Sequence, residues 1–411
     1  MKFVHIADCH IDGFREVKLA KLGFENFTYS LDFAIEKSVD FILIAGDLFN
    51  TAIPRLDALK MTVAQLKRLQ EKNIPVYVIP GSHDYSSHGN TMLDVLELAG
   101  LLENVMKGSI SNESLELTFT KDPKTGTLIT GILGKKGMLD KKFYEQLDTS
   151  KLVGDGFKIF MFHTAITELK TKKLEEMESN SISSLPEGFD YYAGGHVHIV
   201  KRFSNNKYKQ VAYPGPTFPN SFSELEELKK GSFIFYDSEQ VFSEDGHTSN
   251  FQHIFIPNKE VLSALFDAEG KSPFELEEEI KEFIDSNDCE DKIFLLRIFG
   301  QLRSGKSQDI QFKELIRQSY DNKAYIVLKN TYKLTSKEFE EVSIDQETSE
   351  LVEEATVKEH LGQIEFTKDC SELETIKLLL EKLNCEIQDG EKKTVFTERI
   401  VELTKDILES K

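Results

Sequence analysis

Between Phe41 and Asn50 the chain reads FILIAGDLFN. An apolar run this short, closed by Gly46-Asp47, suits a strand buried on both faces of a sheet. The carboxylate of Asp47 is then expected at the C-terminal end of the strand, where open α/β sheets gather their chemistry. Four other stretches carry polar side chains that could reach the same edge. They are Asp8-Cys9-His10, Gly81-Ser82-His83-Asp84, His163 and Gly195-His196-Val197-His198.

The flanking sequence supplies the frame for that strand. Lys2–Asp8 reads as a first strand, and Ile74–Pro80 as another buried one. Helical spacing at Phe27, Leu31, Ala34 and Ile35 predicts a helix over Glu25–Ser38. Leu59, Val63, Leu66 and Leu69 predict a second over Leu56–Lys72. Strand, helix, strand, helix, strand in this rhythm implies a largely parallel sheet with crossover helices. After a helix at Met92–Leu98 the pattern turns to short β-rich pieces: Leu115–Thr120, Leu128–Leu133, Phe157–His163, Asp190–Gly194, Val211–Tyr213 and Ser232–Tyr236. These predict a second sheet packed on the first, with polar Leu169–Ser184 as an exposed helix or loop. The fold class expected for residues 1–240 is α/β, a two-sheet β sandwich flanked by helices.

Two further regions follow. Phe251–Ile256, Pro273–Ile284, Ile293–Gly300, Ile310–Ser319 and Ala324–Leu328 alternate strand and helix, predicting a small α+β module over residues 251–335. Arg303, Lys306, Lys313 and Arg317 make its middle basic. Residues 336–411 read as a helical C-terminal region, with Leu373, Ile376, Leu380 and Leu383 on one amphipathic face and Phe396, Ile400, Leu403 and Ile407 on another.

Composition narrows the class of partner. At 411 residues the chain is long enough for two or three domains. No stretch approaches the ~20 apolar residues of a membrane span, and KFVHIAD opens straight into a strand pattern. No membrane and a cytoplasmic location are therefore expected. Cys9, Cys289, Cys370 and Cys385 are scattered without a Cys-x-x-Cys, so reduced thiols are expected rather than a zinc ribbon. Of the 50 basic and 70 acidic residues, 28 and 32 lie in residues 1–240, a net of −4. The remaining −16 of the −20 sits beyond. Acidity of that size argues against strong non-specific binding to nucleic acid by this chain alone.

The residues gathered around Asp47 suggest metal chemistry. Two divalent ions held ~3.5–4 Å apart can clamp a phosphate and lower the pKa of a water between them. Such a pair needs a bridging carboxylate with His, Asp or Asn ligands around it, on strand ends rigid enough to keep the geometry. Asp47 is the candidate bridge. Mixed carboxylate and imidazole ligation suits Mn²⁺, Fe²⁺ or Zn²⁺ better than Mg²⁺ or Ca²⁺. Each piece alone has a plainer reading: Asp-x-His as a turn, Gly-Asp as turn chemistry, His163 as a buried hydrogen-bonded histidine. Period-two spacing puts His196 and His198 on one strand face, and if the strand ends between them a loop can still aim both inward. Cys9, His5 and His88 read as structural. Lys135-Lys136 and Lys201-Arg202 read as solvated surface.

Asp8-x-His10, Gly46-Asp47, Gly81-x-His83-Asp84, His163 and Gly195-His196-x-His198 resemble the five motifs of calcineurin-like metallophosphoesterases. FILIAGDLF, LPEGFDYYAGGHVH and VAYPGP resemble the SbcD-type nuclease branch, whose members act in double-strand-break repair. The resemblance implies a metallophosphoesterase-like sandwich over 1–240 and a DNA-binding capping domain over 251–335. It implies a C-terminal region, 336–411, that docks an SMC-like ATPase subunit of the SbcC type, and allows a homodimer. Asp8, His10, Asp47 and His198 would hold one ion, and Asp47, His163 and His196 the other. His83 would stay unligated and act on the phosphate, as general acid or by stabilising its charge. Two departures stand out. Ser82 occupies the place of an Asn whose amide oxygen ligates the second metal, and Asn50 the place of a phosphate-contacting His. The implied function is a Mn²⁺-dependent DNA exo/endonuclease. The rivals are a metallophosphoesterase acting on small nucleotides or phosphoproteins, and a non-catalytic scaffold for DNA ends or the ATPase.

Overall fold

The computed structural model describes residues 1–336 apart from 87, 88, 90, 112, 113, 136, 138, 245 and 246, and beyond 336 a few residues between 378 and 405. The chain divides into two compact units, Met1–Glu338 and Phe339–Lys411. The helical reading of 336–411 falls almost wholly outside the described residues, as does His88.

Within the first unit two six-stranded sheets lie face to face. The first runs Phe251–Phe255, Ser232–Asp237, Lys2–Ile6, Phe41–Ala45, Val76–Ile79, Glu103–Asn104. Its last four strands are parallel, and the first two join antiparallel. The Phe41–Ala45 strand sits between two parallel neighbours with all five residues buried, as its unbroken apolar run requires. The second sheet runs Val200–Phe203, Val211–Pro214, Tyr191–Gly195, Lys158–His163, Leu128–Ile132, Thr120–Lys121. Phe3, Phe41, Leu43, Tyr77 and Ile79 from the first sheet interdigitate with Ile129, Ile159, Met161, Tyr191 and Ala193 from the second. Each such aromatic or branched side chain contributes about 1.5–3 kcal/mol on burial. The outer face of the first sheet is covered by helices Val17–Glu36 and Leu56–Glu71 through Phe27, Leu31, Leu66 and Leu69.

Three expectations are corrected. The first helix begins at Val17, eight residues before Glu25, because Leu19 and Leu22 find tertiary partners in Phe218, Leu225, Ile293, Leu295 and Ile326. Phe251–Phe255 does not open the α+β module. It pairs antiparallel with Ser232–Asp237 as the edge of the first sheet. The module's sheet is instead Val261–Asp267, Ile293–Leu302 and Ile326–Ser336, all parallel, with helices Pro273–Ser286 and Phe312–Asp321 as crossovers. Finally, Ser232–Asp237 joins the first sheet and not the second, because it pairs antiparallel with Lys2–Ile6 on one side and Phe251–Phe255 on the other. Leu169–Ser184 is a loop, one of the two readings offered for it, with 3-10 turns at Lys172–Leu174 and Ile182–Ser184. Two of the module's basic residues are ion-paired, Arg303 with Glu275 and Arg317 with Glu314. Arg202, read as solvated surface, packs its guanidinium on the Phe251 ring.

A candidate two-metal centre

Five strands deliver the site. Asp8 and His10 follow Lys2–Ile6, Asp47 follows Phe41–Ala45, and Ser82 and His83 follow Val76–Ile79. His163 ends Lys158–His163, and His196 and His198 follow Tyr191–Gly195. The two sheets therefore present their parallel C-terminal ends to one spot. The backbone there is unusual: Asp8, His10, Asp47, His196 and His198 all have positive φ, from 42° to 101°. Non-glycine residues in that region cost about 1–3 kcal/mol each and persist only where the surroundings hold them. Since the strand ends at Gly195, His196 and His198 are aimed by a loop and not by strand alternation.

Asp47 is the hub. Its Oδ1 accepts the His83 amide at 2.7 Å, and its Oδ2 lies 3.1 Å from His163 Nε2 and 3.7 Å from His10 Nε2. Ser82 Oγ stands 3.5 Å from the same oxygen and is buried. Asp8 accepts the His196 amide at 2.9 Å, and lies 3.9 Å from His198 Nε2. His10 Nε2 and His198 Nε2 face each other at 2.9 Å.

Hydrogen bonds on the far side of each ring set its tautomer. His163 Nδ1 donates to the Ala45 carbonyl at 2.8 Å, and His83 Nδ1 to the Asn50 carbonyl at 2.8 Å. A carbonyl can only accept, so both rings carry their proton on Nδ1 and turn Nε2 inward. His198 Nδ1 lies 3.0 Å from Glu224 Oε2, which also accepts the Asn220 amide at 2.8 Å. This is the outer hydrogen bonding that metal-ligating imidazoles commonly have.

Charge in the site is finely balanced. Burial, with help from His198, pushes His10 down to about 3. Burial and His163 do the same to His196, also to about 3. Both rings are therefore neutral at ordinary pH. Burial works against the charge on His163 as well, but Asp47 and then Asp8 overcome it and lift the ring to about 10. Asp47 is correspondingly held well below the usual carboxylate range, burial being outweighed by His163 and His10. Burial drives the Cys9 thiol far up, consistent with a structural residue.

The donor set fits a pair of divalent cations. Three groups, Asp8/His10/His198, Asp47/His163/His196 and His10/Asp47/His83, bring their ligand atoms within 4.8 Å of one another. Asp47 belongs to two of them. His10 Nδ1 is buried with no partner among the described residues, and its Nε2 meets another imidazole Nε2, a contact that a shared cation satisfies better than a proton. The site opens on a cleft of about 550 Å³, lined also by Thr171, Lys173, Met177, Glu224, Glu227 and Leu228.

Two residues that hold the site had no assigned role in the sequence. Asp84 accepts amide hydrogen bonds from Leu48, Phe49 and Gly81 at 3.0–3.1 Å, tying the Asp47 loop to the His83 loop. Burial, then Asp47, raises its carboxyl to about 7. Its place beside His83 was the available signal. Glu224 had a misleading one: Ser221-x-x-Glu224 reads as a helix capping box. The Glu224 amide does bond Ser221 Oγ at 3.2 Å, but the carboxylate turns to His198 instead of the Ser221 amide.

Residues 1–200 match the model of the calcineurin-like phosphoesterase family, and this stretch is a calcineurin-like metallophosphoesterase domain with the fold of that family. The family uses divalent metals. Among curated proteins the chain is similar to the DNA double-strand break repair protein Mre11 of Methanococcus maripaludis, 30% identical over 246 residues, covering 57% of this chain and 62% of the relative. It is similar also to that of Archaeoglobus fulgidus, 27% identical, covering 61% and 56%. For Methanocaldococcus jannaschii the identity is 31%, covering 57% and 62%. The chain thus spans about three fifths of the length of these relatives. No described helix is long and apolar enough to cross a membrane.

Proposed function

We propose that this chain is a two-metal phosphodiesterase that hydrolyses DNA, a Mn²⁺-dependent exo/endonuclease of double-strand-break repair. The observation carrying this reading is the sharing of Asp47 between ligand groups at the floor of an open cleft, in a chain similar to Mre11 over the same domain. Asp8, His10 and His198 complete one position, and His163 and His196 the other. Bound there, two ions would supply Lewis-acid polarisation of a phosphate and a water of lowered pKa. Four imidazoles among the ligands favour Mn²⁺ over Mg²⁺.

The chain's own residues do the rest. His83 is fixed at both ends, its amide on Asp47 and its Nδ1 on the Asn50 carbonyl, so Nε2 is presented to the cleft, where the imidazolium form, protonated on both nitrogens, would donate to phosphate or leaving oxygen. Ser82 is shorter than an Asn, so the second position rests on Asp47, His163 and His196. Three such ligands suffice to retain a metal in catalytic zinc sites. The acidic balance leaves much of the grip on DNA to a partner, and an SMC-like ATPase subunit supplying basic surface fits that need, as does a homodimer. The module from Val261 to Ser336 serves as the capping domain. Its exposed ion pairs at Arg303 and Arg317 are weak enough to yield to phosphate.

The test is hydrolysis of end-labelled duplex DNA beside bis-p-nitrophenyl phosphate, with and without Mn²⁺. Mn²⁺-dependent shortening of the DNA is expected. Turnover of the small ester alone would move the substrate to small phosphoesters, and turnover of neither would remove the enzyme reading.

A further inference from the structure

The helix Phe222–Leu228 stands between the metal centre and the α+β module, and two of its three acidic side chains, Glu224 and Glu226, point to different clients. Glu224 lines the cleft and bonds His198 Nδ1 at 3.0 Å, its Oε2 held in place by the Asn220 amide. Glu226 is taken by Arg297, on the module's central strand Ile293–Leu302. The guanidinium donates from Nε to both Glu226 oxygens at 2.9 Å and from Nη2 to Oε2 at 2.5 Å, and reaches Ser223 Oγ at 3.2 Å. Its face lies on the Phe222 ring, 4.9 Å from the centroid. Three residues of one short helix are thus gripped by one arginine. Beneath it, Leu225 packs with Phe218, Ile293, Leu295 and Ile326, an apolar cluster drawn from both parts of the unit.

A seven-residue helix holds little structure by itself, since helices under ~12 residues depend on tertiary packing. Its position is therefore set by what grips it, and it in turn sets Glu224. An imidazole whose far nitrogen loses its partner can rotate or change tautomer, which costs metal affinity about 10–100-fold. Resting on the proposed metal centre, we infer that Glu224 is the positioning residue of His198 and that Arg297, through Glu226, makes this ligand depend on the seating of the α+β module. Events at the module, such as contact with DNA or a partner, would then tune one metal position and spare the Asp47/His163/His196 position, which touches no part of this helix among the hydrogen bonds described.

Calorimetric titration of the full chain with MnCl₂ tests this. The unsubstituted protein is expected to bind two ions. Glu224→Ala should weaken one of them about 10–100-fold, and Arg297→Ala the same one about 2–30-fold, the size of coupling through a contiguous network. The decisive arm uses His198→Ala. In that background only the other ion remains, and adding Arg297→Ala should leave its affinity unchanged, because the path to it has been removed. Should Arg297→Ala fail to fold, Arg297→Lys keeps the charge but not the planar fork, and a smaller loss confined to the same ion is expected. Equal affinity for both ions with and without Arg297 overturns the inference, as does an equal weakening of both. Absence of any Mn²⁺ binding by the unsubstituted chain is a different failure, that of the metal centre itself.

Discussion

At the scale of single residues, the site separates groups that hold from groups that act. Asp47 lies in two of the three ligand groups, and in the proposed centre it is the side chain shared by both ions, while Asp8 is committed to the His196 amide. Asp47→Ala should therefore lower Mn²⁺-dependent hydrolysis by at least ~100-fold, more than loss of an outer hydrogen bond costs. Near-normal rates in a Mn²⁺ titration would show that the ligands have been misassigned. His83 should behave otherwise. Its ring is oriented by Asn50 and its amide by Asp47, neither of which depends on a metal. His83→Ala is expected to keep two bound ions while turnover falls about 10²–10⁴-fold, the range for a lost general acid. Loss of an ion in metal analysis would make His83 a ligand, as its grouping with His10 and Asp47 allows.

Among elements, the decisive ones are the turns at the strand ends. Gly46 has φ +88°, and a Cβ there would run into the His163 ring. The turn that exposes Asp47 and the packing of its histidine neighbour are thus one constraint. Gly46→Ala should destabilise the protein by roughly 1–3 kcal/mol and weaken the ion held by His163 and His196. A thermal melt combined with metal titration reads both effects, and an unchanged melt and unchanged affinity would mean that the turn can relax independently of the ring. The Phe251–Phe255 strand illustrates the opposite case. Its alternating pattern marks a strand correctly, but which sheet it joins depends on the edge offered by Ser232–Asp237, and local sequence carries no record of that edge.

On the scale of the molecule, the two sheets meet around polar groups as well as apolar ones. His5, on the first sheet, bonds Tyr191 OH on the second at 2.9 Å and is fully buried. Burial, then His253, lowers its pKa from 6.5 to about 3. The folded protein therefore holds this ring neutral where the unfolded chain would take a proton. Stability from this source is complete above pH 6.5 and falls as pH drops towards 3, by about 2 kcal/mol at pH 5. His5→Asn removes the titrating ring, so the loss of stability between pH 7 and pH 5 should shrink by about that amount in denaturant unfolding, whatever the variant's absolute stability. An unchanged difference would place the acid sensitivity elsewhere.

Much of the parallel sheet and most of the site could be read directly from the sequence, because both depend on local pattern. Strands buried on two faces must be nearly continuous apolar runs, and the residues that leave them at Asp8, Asp47, His83 and His163 stand at fixed offsets from those runs. What lay outside local pattern was decided by tertiary contact. The early start of the Val17–Glu36 helix depends on Leu19 and Leu22 meeting a module some 270 residues later in the chain. The inward aim of His196 and His198 depends on positive φ angles that only the closed loop sustains. Glu224 could not be found from sequence because its Ser-x-x-Glu spacing already satisfies a helix start. Only when strands from both sheets converge does an imidazole come within 3.0 Å to claim that carboxylate.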